Sequence, residues 1–430
     1  MGLELEFFAS PLAAEAAVRA TTEKVRRELA ALEPTGTGPY DRFPGDVSVP
    51  AAVVLTGGTE DKVLQWLDGK SGPALLLALP HSNSLPACLE TLARLRQLGR
   101  SGSIIVVGRG RWREDLAAVV RRLRLAAFLR EARIGLLGGP SSWLAASSPD
   151  PEILRRMWGP EVVTVPLSEV VQRWRVRAAS AGGGGAAGTE RSAEVERALQ
   201  SAAQVVEPDA GAVGAAVDLY LTLRDLVRDY RLSALTIRCF DLLDEIGTTG
   251  CYALSRLNDE GLVAGCEGDL PATLTMLVLG GLAGRACFMA NPSDLDLARG
   301  TVTFGHCSVP LSLVRTHRLR SHFESGLGVG LEGHFGPGKM TVARIGGAGL
   351  DEVRVFSGTV VGEDEAPFRD DLCRTQVTLR VSPAAAGELL ARPLGNHHVL
   401  CPGEFHDDLL EFVFGRVADS WRLTPAGGVS

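Results

Sequence analysis

The sequence predicts an α/β chain of parallel sheets that becomes β-rich toward its C-terminus. Three observations carry this. Short apolar or β-branched runs alternate with amphipathic stretches up to about Gly300, the pattern of parallel strands joined by crossover helices. Beyond Gly300, short alternating runs follow one another between glycines and prolines. The chain has 430 residues, and at about 100–200 residues per domain this calls for two or three domains.

In order, Ala13–Leu32 reads as an amphipathic helix ended by Pro34–Pro39. Strands follow at Ala51–Leu55, Ala74–Leu79 and Ser103–Val107, with helices at Glu60–Leu67, Ala87–Leu98 and Glu114–Leu129 between and after them. A similar unit starts at Arg133–Leu137 and continues through a helix at Pro151–Met157 and a strand at Val162–Val165. The run of glycines within Ala178–Gly188 reads as a surface loop. A long helix at Ala212–Asp229 and a buried strand at Ala234–Phe240 come next. Leu270–Gly284 is the longest apolar stretch. It is shorter than the roughly 18–20 residues that span a bilayer, and Asp269 and Arg285 bound it, so it predicts a buried helix. Five β runs follow, at Thr301–Cys307, Gly326–Leu331, Lys339–Ile345, Glu352–Val361 and Thr375–Val381, and Asp407–Phe414 closes the chain as a helix. These readings place domains at 1–130, 131–298 and 299–430.

Composition narrows the function. Net charge is −7 and no long basic run occurs, which disfavours nucleic acid as a partner. Hydrophobic content of 45 % supports a sizeable core. Met1–Ser10 lacks the basic start of a signal peptide, and the first basic residue is Arg19, so the expectation is a cytoplasmic protein without a membrane partner. The eight cysteines are scattered without a Cys-x-x-Cys pair, so buried reduced thiols are expected.

Four short segments hold the residues with chemical potential. In Gly265-Cys266-Glu267-Gly268-Asp269, Asp269 suits the N-cap of the apolar helix, with Pro271 in its first turn. Glu267 lies outside that cap and, if buried, needs a partner, which a metal or a proton-transfer role would supply. In Gly305-His306-Cys307-Ser308-Val309-Pro310, His306 is either a satisfied core residue or a metal ligand. In Gly395-Asn396-His397-His398, adjacent histidines on a strand face opposite ways, so one at most serves a given site. In Ser321-His322-Phe323-Glu324, His322 and Glu324 would share a strand face, as a bonded pair or as substrate contacts.

Together these pieces resemble the L-fucose isomerase and L-arabinose isomerase superfamily, nearest to its compact fucose-isomerase-like proteins. Cys-Glu-Gly-Asp precedes a Thr- and Met-containing apolar helix. Phe-Met-Ala-Asn, Gly-His-Cys-x-x-Pro and Gly-Asn-His-His then follow in family order over about Thr236–Phe412. The resemblance implies two Rossmann-like α/β domains and a β-rich C-terminal domain. It implies a divalent ion, most of all Mn2+, held by Glu267, His306 and His398, with His397 as the alternative to His398. It implies an aldose–ketose isomerase working through an enediol on a small sugar, in a homo-oligomer of three or six chains. Glu267 would be ligand and base, and Asn291, His322, Glu324, Asn396 and His397 would contact the sugar.

One departure stands out. The family has a second carboxylate where this chain has Asn291. An amide can coordinate but cannot carry a proton, so proton return would fall to Glu267 alone or to a different acid, with Asp269, Asp294 and Asp296 as candidates. The alternative expectation is a relative that binds or transforms a sugar derivative without ordinary isomerase activity.

Overall fold

A computed structural model describes residues 3–32, 49–70, 73–180 and 186–422. The stretch Pro34–Pro39 and the glycine run at 182–185 lie outside the described residues. The chain divides into two compact units, one built from the residues up to Phe128 together with those from Leu410, the other from Leu129–Leu409.

The first unit alternates strand and helix as β1 (Leu3–Phe8), α1 (Glu15–Ala30), β2 (Val49–Val54), α2 (Glu60–Asp68), β3 (Ala74–Ala78), α3 (Ser84–Gln97), β4 (Gly102–Val106) and α4 (Trp112–Glu131). The four strands pair in parallel in the order β1-β2-β3-β4. β2 and β3 are apolar throughout because helices cover both sides of the sheet. Ala51, Val53, Leu75 and Leu77 pack with Val25, Leu29, Leu116 and Val120 of α1 and α4. Ala52, Val54, Leu76 and Ala78 pack with Val63 and Leu67 of α2 and Ala87 and Leu92 of α3. Each such buried Val or Leu contributes about 1.5–3 kcal/mol. β1 escaped the sequence reading because Glu4 and Glu6 interrupt its apolar residues.

The second unit opens with β5 (Arg133–Leu137), α5 (Pro151–Trp158), β6 (Glu161–Val165), α6 (Leu167–Ala179), α7 (Ala186–Ser201) and β7 (Gln204–Val205). It goes on with α8 (Ala210–Tyr230), β8 (Ala234–Ile237), α9 (Asp241–Ile246), α10 (Cys251–Asp259), β9 (Val263–Cys266) and α11 (Leu270–Ala283). Strands β6-β5-β8-β9 form a second parallel sheet. Every residue of α11 is buried, as its unbroken apolar sequence requires. Among the described residues no helix is long and apolar enough to cross a membrane.

The β-rich region comprises β10 (Phe288–Asp296), β11 (Thr301–His306), β12 (Thr316–Arg320), β13 (Gly330–His334), β14 (Lys339–Gly346), β15 (Glu352–Val360), β16 (Thr375–Val381), α12 (Pro383–Ala391), β17 (His398–Pro402) and α13 (His406–Arg422). Six strands close an antiparallel barrel in the order β10-β11-β16-β15-β14-β17. Strands β13-β12-β7 form a small separate sheet. The mixed architecture of parallel sheets and an antiparallel β-rich region is the one the sequence predicts. Two details differ. Ala178–Gly188 is not all loop, since α6 reaches Ala179 and α7 begins at Ala186. The expected strand at Gly326–Leu331 starts only at Gly330, because Gly326 N bonds back to His322 O (2.9 Å) and makes a turn.

Candidate metal centre

Glu267 sits at the carboxyl end of β9, in a tight turn. Its φ of +62° and the +74° of Gly268 put two successive residues in the left-handed region. For a glutamate that conformation costs about 1–3 kcal/mol and persists where surrounding contacts impose it. Those contacts are visible. Ser141 N donates to Glu267 O (2.8 Å). A Cβ on Gly268 would lie 2.3 Å from Gly139 O, so only glycine lets the loop after β5 pack this closely. Asp269 then caps α11, accepting from Ala272 N (2.8 Å), with Pro271 in the first turn as the sequence predicts.

Glu267, His306 and His397 each offer one ligand atom, and these atoms all lie within 4.8 Å of one another. All three residues are buried. His397 Nε2 is 3.4 Å from Glu267 Oε1 and has no hydrogen-bond partner among the protein's own groups. Its Nδ1 is held by Asp269 Oδ2 at 2.9 Å. Asp269 is in turn paired with Arg344 Nη1 (3.0 Å), both side chains being fully buried. Arg344 also donates to His397 O (2.8 Å) and Ser147 Oγ (2.7 Å). His306 is held through Nδ1 by Ser308 Oγ (2.9 Å). Metal-binding histidines are typically oriented in this way, with one ring nitrogen anchored and the other left for the ion. The buried Glu/His/His group thus could hold a metal ion, and the orphaned Nε2 is an atom that such an ion would satisfy.

The charges are mutually arranged. Burial alone would raise the Glu267 carboxyl, but the close approach and charge of the His397 ring, with help from Trp143 and His306, bring it below its ordinary value. Asp269 is likewise raised by burial, and the Arg344 charge and the His397 bond outweigh that to lower it. Burial would lower His397, yet its bond to Asp269 and the nearby Glu267 carboxylate raise it to about 9. His306 falls to about 4, through burial first and the neighbouring His397 second. Glu267 is therefore ionised and His306 neutral at neutral pH.

The other sequence-predicted residues divide. His398 is not in the group and His397 takes its place. β17 begins at His398, consecutive side chains point to opposite sides, and the His398 ring packs against Phe304 at 6.2 Å. Its Nδ1 bonds to Asn396 O (3.1 Å). Asp294 is turned outward by a bulge between Pro292 and Asp294, where it pairs with Arg369 (2.7 Å). Asn291 lies opposite Gly305, one residue before His306, and its Oδ1 is buried without a partner. His322 and Glu324 do not share a strand face, because their segment is a turn. His322 is buried with Nδ1 on Ser325 Oγ (3.0 Å), while Glu324 is exposed. Asn396 is exposed.

Three partners escaped the sequence reading. Trp143 Nε1 donates to Glu267 Oε2 at 2.6 Å. Phe240 meets the Trp143 ring edge-on at 5.1 Å and the His322 ring at 5.3 Å. Arg344 is the buried cation behind Asp269. A lone arginine within the apolar run of β14 was the one available signal, since such a charge must be paired. All eight cysteines are free thiols, and Cys239 Sγ lies 2.7 Å from Cys266 Sγ beside Glu267.

No protein-family model matches the chain. It is 27 % identical over 267 residues to a sulfoquinovose isomerase of Alkalicoccus urumqiensis, covering 58 % of each chain. It is 31 % identical over 164 residues to the sulfoquinovose isomerase of Clostridium sp. strain MSTE9, covering 34 % of this chain and 37 % of that one. A sulfoquinovose isomerase of Priestia megaterium is 25 % identical over 196 residues, covering 45 % of this chain and 42 % of that one. The matched region thus spans between 37 % and 58 % of the length of these relatives.

Proposed function

We propose that this chain is a metal-dependent aldose–ketose isomerase of the L-fucose/L-arabinose isomerase type, acting on a sulfonated sugar such as sulfoquinovose. The observation that carries the reading is the buried Glu267–His306–His397 group with Asp269 and Arg344 behind it. The similarity to sulfoquinovose isomerases supports the sugar class.

Isomerisation moves a proton between adjacent carbons through an enediol. A bound divalent ion would stabilise charge on the two neighbouring oxygens of the open-chain sugar. Glu267 is ionised at neutral pH and takes the proton from one carbon and returns it to the next, a contribution of about 10²–10⁴-fold for a placed general base. Its Oε2 is held by Trp143, and Oε1 faces His397. Asp269 keeps His397 in one ring orientation. Burial of all three ligands keeps bulk water from competing for them. Mn2+ suits a set of one carboxylate and two imidazoles.

Among the described residues, neither Asp269 nor Asp294 stands ready as a second acid. Asp269 is fully engaged and Asp294 is paired with Arg369 in solvent. Proton removal and return therefore fall to Glu267 alone, with the orphaned Asn291 Oδ1 as a neutral contact to ion or sugar. The same observation favours a second reading, a sugar-derivative enzyme of another reaction class that retains the metal. A coupled screen of sulfoquinovose, L-fucose and L-arabinose with added manganese, beside metal analysis of the purified protein, tests both. Turnover of an aldose to its ketose supports the first. A retained ion without any ketose formation favours the second, and neither ion nor turnover defeats both. A trimer or hexamer belongs to the first reading and is checked by light scattering.

A further inference from the structure

We infer that Trp143 is a positioning residue that locks the Glu267 carboxylate through its indole N–H and presents its open ring face to the ligand. The inference rests on the reading of Glu267 as ligand and base.

Glu267 has three side-chain torsions to restrain and a buried charge to satisfy. Its backbone is already pinned by Ser141 N, but that does not orient the carboxylate. The indole N–H meets Oε2 at 2.6 Å, a charge-assisted bond of the short kind. It takes one oxygen out of play and leaves Oε1, at 3.4 Å from His397 Nε2, facing the other ligands. The loop that carries Trp143 serves the whole group. Gly139 fills the space over Gly268, Ser141 N holds Glu267 O, and Ser147 Oγ accepts from Arg344. One loop thus fixes the carboxylate and steadies the Arg344–Asp269–His397 chain.

Yet Trp143 itself is 52 % exposed, among the most exposed large apolar side chains of this unit. An indole committed at its nitrogen and open on its ring is poorly explained as core packing. Phe240 and then His322 continue the row of rings beside it. Such a surface offers the apolar C–H face of a sugar a contact while the hydroxyls turn toward the ion.

The test uses the full chain labelled with 5-fluorotryptophan and read by 19F NMR. Its six tryptophans give up to six resonances, and Trp143→Phe assigns one of them by deletion. Glu267→Gln shifts that resonance if the bond exists, with no ion or sugar present. Trp143→Phe keeps the ring and loses the N–H. It lowers Mn2+ affinity, read from free-ion EPR, by about 10–100-fold, the loss typical for partners that orient a ligand. It lowers kcat with little change in KM, whereas Trp143→Ala raises KM as well. An unmoved resonance in Glu267→Gln overturns the inference. So does Mn2+ affinity in Trp143→Phe within about twofold of the parent protein. If Mn2+ neither binds nor broadens the assigned resonance in the parent, the proposed function fails. The Glu267→Gln shift then still decides the hydrogen bond by itself.

Discussion

At the carboxyl ends of β2 and β3 in the first unit, the buried polar side chains serve the backbone. Ser84 Oγ accepts from Leu79 N (2.7 Å) and donates to Val54 O, and Thr59 Oγ1 donates to Thr56 O (3.1 Å). At the carboxyl ends of β5, β8 and β9 in the second unit, the same kind of parallel sheet carries Trp143, Phe240 and Glu267. There a glutamate in strained backbone faces two histidines, and a buried ion pair stands behind them. In the first arrangement the buried Ser84 and Thr59 hydroxyls both find partners. The second leaves His397 Nε2 and Asn291 Oδ1 without partners. Parallel sheets favour ligand sites at these ends whatever their sequence. The comparison teaches that topology offers the place, and that unsatisfied buried donors and acceptors mark where it is used.

The largest break in that contrast comes from Glu267→Gln. It removes the ionised ligand and base, so Mn2+ binding is lost and any isomerase turnover falls by about 10²–10⁴-fold, as a coupled assay and metal analysis will read. Arg344→Met follows. It breaks the buried pair, leaving Asp269 with His397 as its remaining ionic partner, and destabilises the protein by about 3–5 kcal/mol, measured by denaturant unfolding. A cost below about 1 kcal/mol would show that the pair does not sit in a dry interior.

A pH series sharpens the comparison further. His397 in the ion-free protein stands at about 9, above its ordinary 6.5. Its contribution to stability is therefore fully present below about 6.5 and is lost as pH rises toward 9. An ion needs the neutral imidazole, so Mn2+ affinity climbs about tenfold per pH unit up to about 9. An affinity that is flat from pH 6.5 to 9 removes His397 from the ligand set.

Ser84→Ala in the first unit gives a smaller effect. It leaves Leu79 N unsatisfied at a cost of about 1–3 kcal/mol and does not touch ion binding. The smallest effect belongs to His398→Ala, which leaves ion affinity essentially unchanged while His397→Ala abolishes it. The reverse ranking would restore the ligand that the sequence favours.

Much of this was legible in the residues themselves. Alternation of apolar strands and amphipathic helices specifies the parallel sheets, because each period matches one backbone geometry. Asp269, Pro271 and the apolar run after them determine a capped, wholly buried helix, since local donors and hydrophobic burial suffice for it. Glu267 and His306 were identifiable as candidates because a charge or imidazole set among glycines and apolar residues requires a partner. Only the tertiary structure could decide between His397 and His398, because the start of β17 sets which side each one faces. Only it could turn Asp294 away, since a single-residue bulge reverses the side of every residue after it. And Trp143 and Arg344 lie 124 and 77 residues from Glu267 in sequence. Nothing local distinguishes Trp143, and the lone charge of Arg344 in β14 says only that it needs some partner, because the force that recruits both is the cost of leaving a buried carboxylate unpaired, and that cost exists only once the loop after β5 and strand β14 have closed around it.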